Sequence, residues 1–231
     1  MTASAALACL DIGSTFTQGL LVTDDGTVLT AAQSPTTVET DVLDGVAHVL
    51  TQLRAAAPHP HVEPVVLACS SAGGGLRIAV VGAERVVTAA AGRIVAMTAG
   101  GRVVHVAAGP VTEATIADIA AARPDLLLVV GGTDGGNPAM LLANAQSVGA
   151  AALSVPVVLA GNVDAAPAAA AALQAGGAPV VVADNVLPEI GRLAPESARE
   201  ALRAAFLEHV IGGKGLTSEP ARLRRLVRAA T

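Results

Sequence analysis

From residue 101 onward, short stretches that are apolar at all or nearly all positions alternate with alanine-rich stretches of helix length. The apolar stretches are residues 103–107, 126–130, 155–159 and 179–182. A strand with one face in water alternates apolar and polar residues, whereas a strand that is apolar throughout needs cover on both faces. The intervening helices supply that cover. The pattern therefore predicts βα units on a parallel sheet buried between helices. The alanine tracts need no functional explanation, because Ala is the best helix former and its small side chain lets a helix lie close to a sheet.

A different β style precedes this region. Residues 6–10 form an apolar run ending in Asp11-Ile12-Gly13-Ser14-Thr15, residues 19–22 form a second, and residues 27–30 a third after the turn Asp24-Asp25-Gly26. Runs so closely spaced predict a β-meander. From Asp41, a candidate N-cap, residues Val42, Leu43, Val46, Val49, Leu50 and Leu53 recur at three-to-four spacing, which predicts an amphipathic helix stopped by Pro58. A strand over residues 64–68, a glycine-rich loop over 69–75, an apolar segment over 76–81 and a helix over 86–97 follow. Beyond Pro195, Ala198, Leu202, Phe206, Leu207 and Val210 share one helix face, closed by Gly212-Gly213.

A last helix is predicted over residues 218–230, where Arg222, Arg224, Arg225 and Arg228 stand beside Leu223, Leu226 and Val227. It reads as a solvated helix whose cations complement its C-terminal dipole, as a docking surface, or as a packing face for a partner beyond residue 231. The fold class is α/β, in three parts: residues 1–100 with the meander, residues 101–195 with the parallel units, and residues 196–231 with the terminal helices.

Charge and aromatic content bear on partners. Nineteen acidic residues against 14 basic ones give a net charge of −5, and aromatic residues make up 1% of the chain. The cationic surface and stacking rings of a single-strand nucleic-acid binder are missing, so no nucleic-acid partner is expected. Two cysteines, Cys9 and Cys69, are too few for a disulfide framework. The N-terminus lacks a cationic leader pattern, and no apolar window reaches the length of a membrane span. The expectation is a cytoplasmic protein with no membrane partner. His48, His59, His61, His105 and His209 lack the spacing of a zinc site, and Ser70 and Ser71 lie outside any G-x-S-x-G pattern. No cation flanks Cys69 in sequence to activate its thiol.

Two glycine-bearing loops carry candidate chemistry. In the first, Asp11 at the end of a buried strand can hold a hydrated Mg²⁺, and Gly13 lets the backbone approach a phosphate. Ser14, Thr15 and Thr17 can donate amides and hydroxyls to its oxygens. The same residues also suit a tight β-turn. The second loop, Gly131, Gly132, Thr133, Asp134, Gly135, Gly136 and Asn137, joins a strand to a helix. That arrangement aims N–H groups at an anion, or simply makes a sharp turn capped by Asn137. Gly161-Asn162 and Asp184-Asn185 end the next two strands, which predicts a polar cleft along the same edge.

Taken in order, Leu10-Asp11-Ile12-Gly13-Ser14-Thr15-Phe16-Thr17, Ala68-Cys69-Ser70-Ser71-Ala72-Gly73-Gly74-Gly75-Leu76-Arg77 and Val129-Val130-Gly131-Gly132-Thr133-Asp134-Gly135-Gly136-Asn137 resemble the MutL or GlmL family. Its members are accessory proteins encoded with coenzyme-B12-dependent glutamate mutase. Asp184-Asn185-Val186-Leu187-Pro188-Glu189-Ile190-Gly191 and the segment from Phe206 to Leu216 extend the likeness over nearly the whole chain.

The resemblance implies a ribonuclease H-like, actin-like ATPase N-terminal lobe with ATP and Mg²⁺ as cofactors. It implies Asp11 as the catalytic and metal-facing residue, with Gly13, Ser14, Thr15 and Thr17 as the first phosphate loop. Residues Gly131 to Asn137 would form a second glycine loop near the cleft. The implied role is chaperone-like or reactivating support of a B12-dependent mutase or its subunits. The family pattern usually carries Lys where this chain has Gln18, which implies weaker phosphate binding. A second lobe closes on the nucleotide in this family, so a separate C-terminal half is an expected partner. Whether ATP is hydrolysed stays open, and the alternative is a non-catalytic α/β ligand- or partner-binding module.

Overall fold

The computed structural model describes residues 6–13, 15–37, 40–57, 64–70, 76–84, 87–206 and 219. The chain divides between Gly75 and Leu76 into two units.

The first unit holds β1 (Ala6–Ile12), β2 (Phe16–Thr23), β3 (Val28–Pro35), α1 (Val42–Ala55) and β4 (Val65–Ser70). Strand order is β3-β2-β1-β4. The first three strands form the antiparallel meander, and β4 joins β1 in parallel. A parallel neighbour requires a crossover, and α1 provides it. Its N-terminus is capped by Asp41, whose carboxylate accepts a 2.8 Å bond from the Leu43 amide. The predicted stripe of Val42, Leu43, Val46, Val49, Leu50 and Leu53 is buried, and α1 packs on β1, β2 and β3. Ala8, Leu10, Ile12 and Leu21 are buried with it.

The second unit holds β5 (Arg77–Gly82), α2 (Thr88–Thr98), β6 (Arg102–Ala108), α3 (Glu113–Ala121), β7 (Leu126–Val130), α4 (Ala139–Ala150), β8 (Val157–Leu159), α5 (Ala166–Gln174), β9 (Val180–Val182) and α6 (Glu196–Ala205). All five strands are parallel, in the order β6-β5-β7-β8-β9. One sheet face, with Ile78, Val80, Leu126 and Leu128, packs on Val95 and Ala96 of α2 and Leu202 of α6. The other face, with Ala79, Val81, Leu127 and Val129, packs on Ile119 of α3, Leu141 of α4 and Leu173 of α5. The α/β class, the meander and the doubly covered parallel sheet are as expected from the apolar runs; the parallel pairing of β4 with β1, which makes the first sheet mixed, is not marked in them.

Two assignments differ from the sequence expectation. α6, read with residues 196–231, belongs to the second unit, where Leu202 is part of the core. β5 and α2, read with the first 100 residues, belong to the second unit, where β5 lies hydrogen-bonded between β6 and β7. An apolar run such as 76–81 carries no mark of which sheet receives it. The predicted loop residues 71–75, the end of the helix beyond Phe206 and the predicted helix over 218–230 lie outside the described residues. Among the described residues, no helix is long and apolar enough to cross a membrane.

Candidate functional site

The meander's first turn positions Asp11. The Gly13 amide donates to the Phe16 carbonyl at 3.0 Å, closing the hairpin. A Cβ at residue 13 would lie 2.7 Å from that carbonyl oxygen, so the turn requires glycine. Thr36, just past β3, clasps the turn. Its hydroxyl donates to the Gly13 carbonyl at 2.8 Å and its amide to the Thr15 carbonyl at 2.8 Å.

Register then sorts the candidate ligands by face. Thr17 pairs with Ile12 and points with it toward the α1 side. Thr17 has no exposed surface, and its hydroxyl sits 3.1 Å from that of Thr36. The expected phosphate donor Thr17 is thus a buried turn support, because strand alternation sends it away from Asp11. Asp11 pairs with Gln18 on one side and Cys69 on the other, and Gln18 pairs with Gln33. Four side chains therefore form one row across the open face of the sheet: Gln33, Gln18, Asp11 and Cys69. They line a cavity of about 720 Å³ together with Cys9, Leu20 and Ala31. Thr15 is exposed at the turn beside this row, and Ser14 lies outside the described residues.

The Cys69 thiol sits 3.6 Å from Asp11 Oδ1 and 3.6 Å from the Leu10 carbonyl, and it can donate to either. Burial, and then the charge and hydrogen bond of Asp11, push its pKa up, so it stays a protonated thiol at neutral pH. Asp11 itself is exposed. Among the described residues, no group of three His, Cys, Asp or Glu side chains forms a metal cage. A cation at Asp11 would rest on one carboxylate, water and ligand oxygens, which is how Mg²⁺ is commonly held with phosphates. The two glutamine amides beside the carboxylate are neutral donors suited to water or phosphate oxygens. Gln33 and Cys69 escaped the sequence reading as site neighbours, although counting register outward from the Asp11–Gln18 pair reaches both.

The second glycine loop, in the other unit, is bonded to its neighbours. The Asp134 amide donates to the Pro188 carbonyl at 3.0 Å, the Gly135 amide to Asp164 Oδ2 at 3.0 Å, and the Gly136 amide to the Thr133 carbonyl at 3.0 Å. Asn162 has no exposed surface, and its Nδ2 donates to the Thr133 carbonyl at 2.5 Å. Asn185 Nδ2 donates to the Gly132 carbonyl at 3.0 Å and to Asp134 Oδ1 at 2.8 Å. Asn137 Oδ1 accepts from the Ala139 amide at 2.9 Å, as the expected cap. Gly132 and Gly135 have φ values of 70° and 68°, which accounts physically for glycine at both positions.

The loops after β7, β8 and β9 are thereby fastened to one another. The polar cleft expected from Asn162 and Asn185 is replaced by a staple, because both amides face neighbouring carbonyls. Asp134, Asp164 and Asp184 add negative charge to the same edge, which disfavours an anion there.

The MutL protein family matches residues 7–231 of the chain. A curated relative, Protein MutL of Clostridium tetanomorphum, is 32% identical over 216 residues, which span 92% of this chain and 46% of the relative. The chain thus spans about half the length of that relative. Among solved structures, a nucleotide-free acetone carboxylase aligns over 92% of this chain and 35% of its own, at 12% identity and a TM-score of 0.36. The activator of 2-hydroxyisocaproyl-CoA dehydratase from Clostridium difficile, with bound ADPNP, aligns over 98% of this chain and 99% of its own, at 13% identity and a TM-score of 0.22.

Proposed function

Because the chain belongs to the MutL protein family, we propose that it is an ATPase-type lobe of an accessory protein serving a coenzyme-B12-dependent mutase, such as glutamate (methylaspartate) mutase. The role is chaperone-like or reactivating, in the cytoplasm, with the mutase or its subunits as client. A separate C-terminal half would complete the nucleotide site. The observation that carries the nucleotide part is the cross-strand row with Asp11 at its centre on an open sheet face.

Bound Mg²⁺ would supply charge neutralisation at the phosphate oxygens. Asp11 would hold the hydrated cation, Gln18 and Gln33 would orient its waters or the phosphate through their amides, and Thr15 would offer a hydroxyl at the turn. With a neutral Gln18 opposite Asp11, the lobe has no side-chain cation at that position to draw the phosphates in. That feature favours a second reading, a partner-binding module that no longer hydrolyses ATP.

Calorimetry with ATP and Mg²⁺ tests the first reading. The expected result is saturable, Mg²⁺-dependent heat for the wild-type chain that is lost in Asp11→Ala. Absence of heat from the wild-type chain, or equal heat from both, rejects Asp11 as the metal-holding group.

A further inference from the structure

Apart from the Asp11 row, the second unit carries a surface with a separate recognition chemistry. β6 is an edge strand among the described residues: β5 occupies one side, and none of the described strands lies on the other. Among the described residues, its seven residues, Arg102–Ala108, leave outward backbone N–H and C=O groups without sheet partners, which is the template that an added strand uses. Alongside lies a cavity of about 450 Å³, lined by Arg93 and Met97 of α2 and by Arg102, Val104 and His105 of β6. Met97 and Val106 are exposed large apolar side chains on the same rim, at 53% and 40%.

The charge on this rim is one-sided. Arg93 and Arg102 line the cavity, and among the described residues no carboxylate does. Arg93 and Arg102 are exposed, and among the described residues neither guanidinium has a hydrogen-bond or ion-pair partner. That is notable in a chain with five more acidic than basic residues. Edge strands are often blunted by bulges and cations. Here β6 carries a bulge at Val104, opposite the step from Ile78 to Ala79, and beyond it pairing runs without interruption from His105 to Ala108.

We propose that the β6 edge is a docking site for an extended acidic segment of another protein, which adds to the sheet as a sixth strand. Backbone hydrogen bonds to β6 would give the affinity. Alternate side chains of the segment would fall toward the apolar rim and toward Arg93 and Arg102, which selects glutamate or aspartate at those positions. A second copy of this chain fits less well, because a two-fold contact sets the same cationic patch against itself.

The test uses the full chain and a short, dye-labelled peptide of alternating valine and glutamate, followed by anisotropy and by amide exchange read by NMR. Expected results are saturable binding with slowed exchange along β6, and no binding by the valine–lysine peptide. Methylating alternate peptide nitrogens should weaken binding by about tenfold or more, since each removes a backbone hydrogen bond. Arg93→Ala and Arg102→Ala should each weaken it by roughly two- to fivefold. The proposal is overturned if the acidic peptide does not bind, if the methylated or lysine peptide binds equally well, or if protection falls away from β6. Sedimentation showing that the free chain dimerises through β6 would overturn it as well.

Discussion

Replacing Asn162 with alanine should unfasten the loops at the C-terminal edge of the parallel sheet. The Asn162 side chain makes three bonds: Oδ1 accepts from the Ala165 amide at 3.0 Å, and Nδ2 donates to the carbonyls of Thr133 at 2.5 Å and Gly136 at 3.3 Å. Ala165 is 4% exposed, so its amide would be left without a partner out of reach of water, at a cost of about 1–3 kcal/mol. Thr133 and Gly136 are half-exposed, and water can replace part of what their carbonyls lose. The net destabilisation should be about 2–4 kcal/mol, or roughly 5–15 °C in Tm for a unit of this size.

With no Trp or Tyr in the chain, the measurement is urea unfolding followed by far-UV circular dichroism, supported by hydrogen exchange in α5. Asn137→Ala is the control. Its side chain makes one bond, to the Ala139 amide at 2.9 Å, from an exposed position, and it should cost under about 1 kcal/mol. A loss for Asn162→Ala within about 0.5 kcal/mol of wild type, or equal to that of Asn137→Ala, would refute the staple.

Gly149→Ala should lower the urea midpoint by an amount equivalent to about 1–3 kcal/mol or more, because a Cβ there would lie 2.1 Å from the Ala172 backbone carbonyl, where α4 and α5 meet. Iodoacetamide should label Cys69 slowly at neutral pH, with a pH profile displaced upward, since the thiolate forms only above the usual thiol range. Asp11→Asn should speed labelling while burial keeps part of the displacement, as read by mass spectrometry; an unchanged profile would break the Asp11–Cys69 contact. The hydroxyl of Thr23, then the amide of Thr27, hold the exposed Asp25 carboxyl below its usual range. Its small contribution to stability is therefore present above that range and lost as pH falls through the lowered value. An NMR titration should show the lowered midpoint and its rise in Thr23→Val.

Much of the architecture is legible where the residue pattern admits one solution. Residues 126–130 are apolar at every position and become a strand covered on both faces, and Asp41 followed by a three-to-four stripe becomes a capped helix. The parity of β2 is hidden, because Gly19, Leu20, Leu21 and Val22 are all non-polar, so the run does not reveal that Leu21 is buried while Leu20 stays 43% exposed. That parity decides whether Thr17 or Gln18 stands beside Asp11. Asn162 and Asn185 mislead for another reason: an amide after a strand looks alike whether it faces a ligand or a carbonyl of a distant loop. Their partners, Thr133 and Gly132, are set by the strand order, which local pattern does not encode.

The claim that a metal-bound nucleotide meets the chain at Asp11 is tested most directly by paramagnetic broadening. Mn²⁺·ATP would be added to the ¹⁵N-labelled chain, and amide signals would be followed at Asp11, Gln18 and Cys69 and, separately, at residues 131–137. Selective loss of the first group with the second unaffected is the predicted result. Broadening centred on residues 131–137, or none in either group at saturating Mn²⁺·ATP, would contradict it.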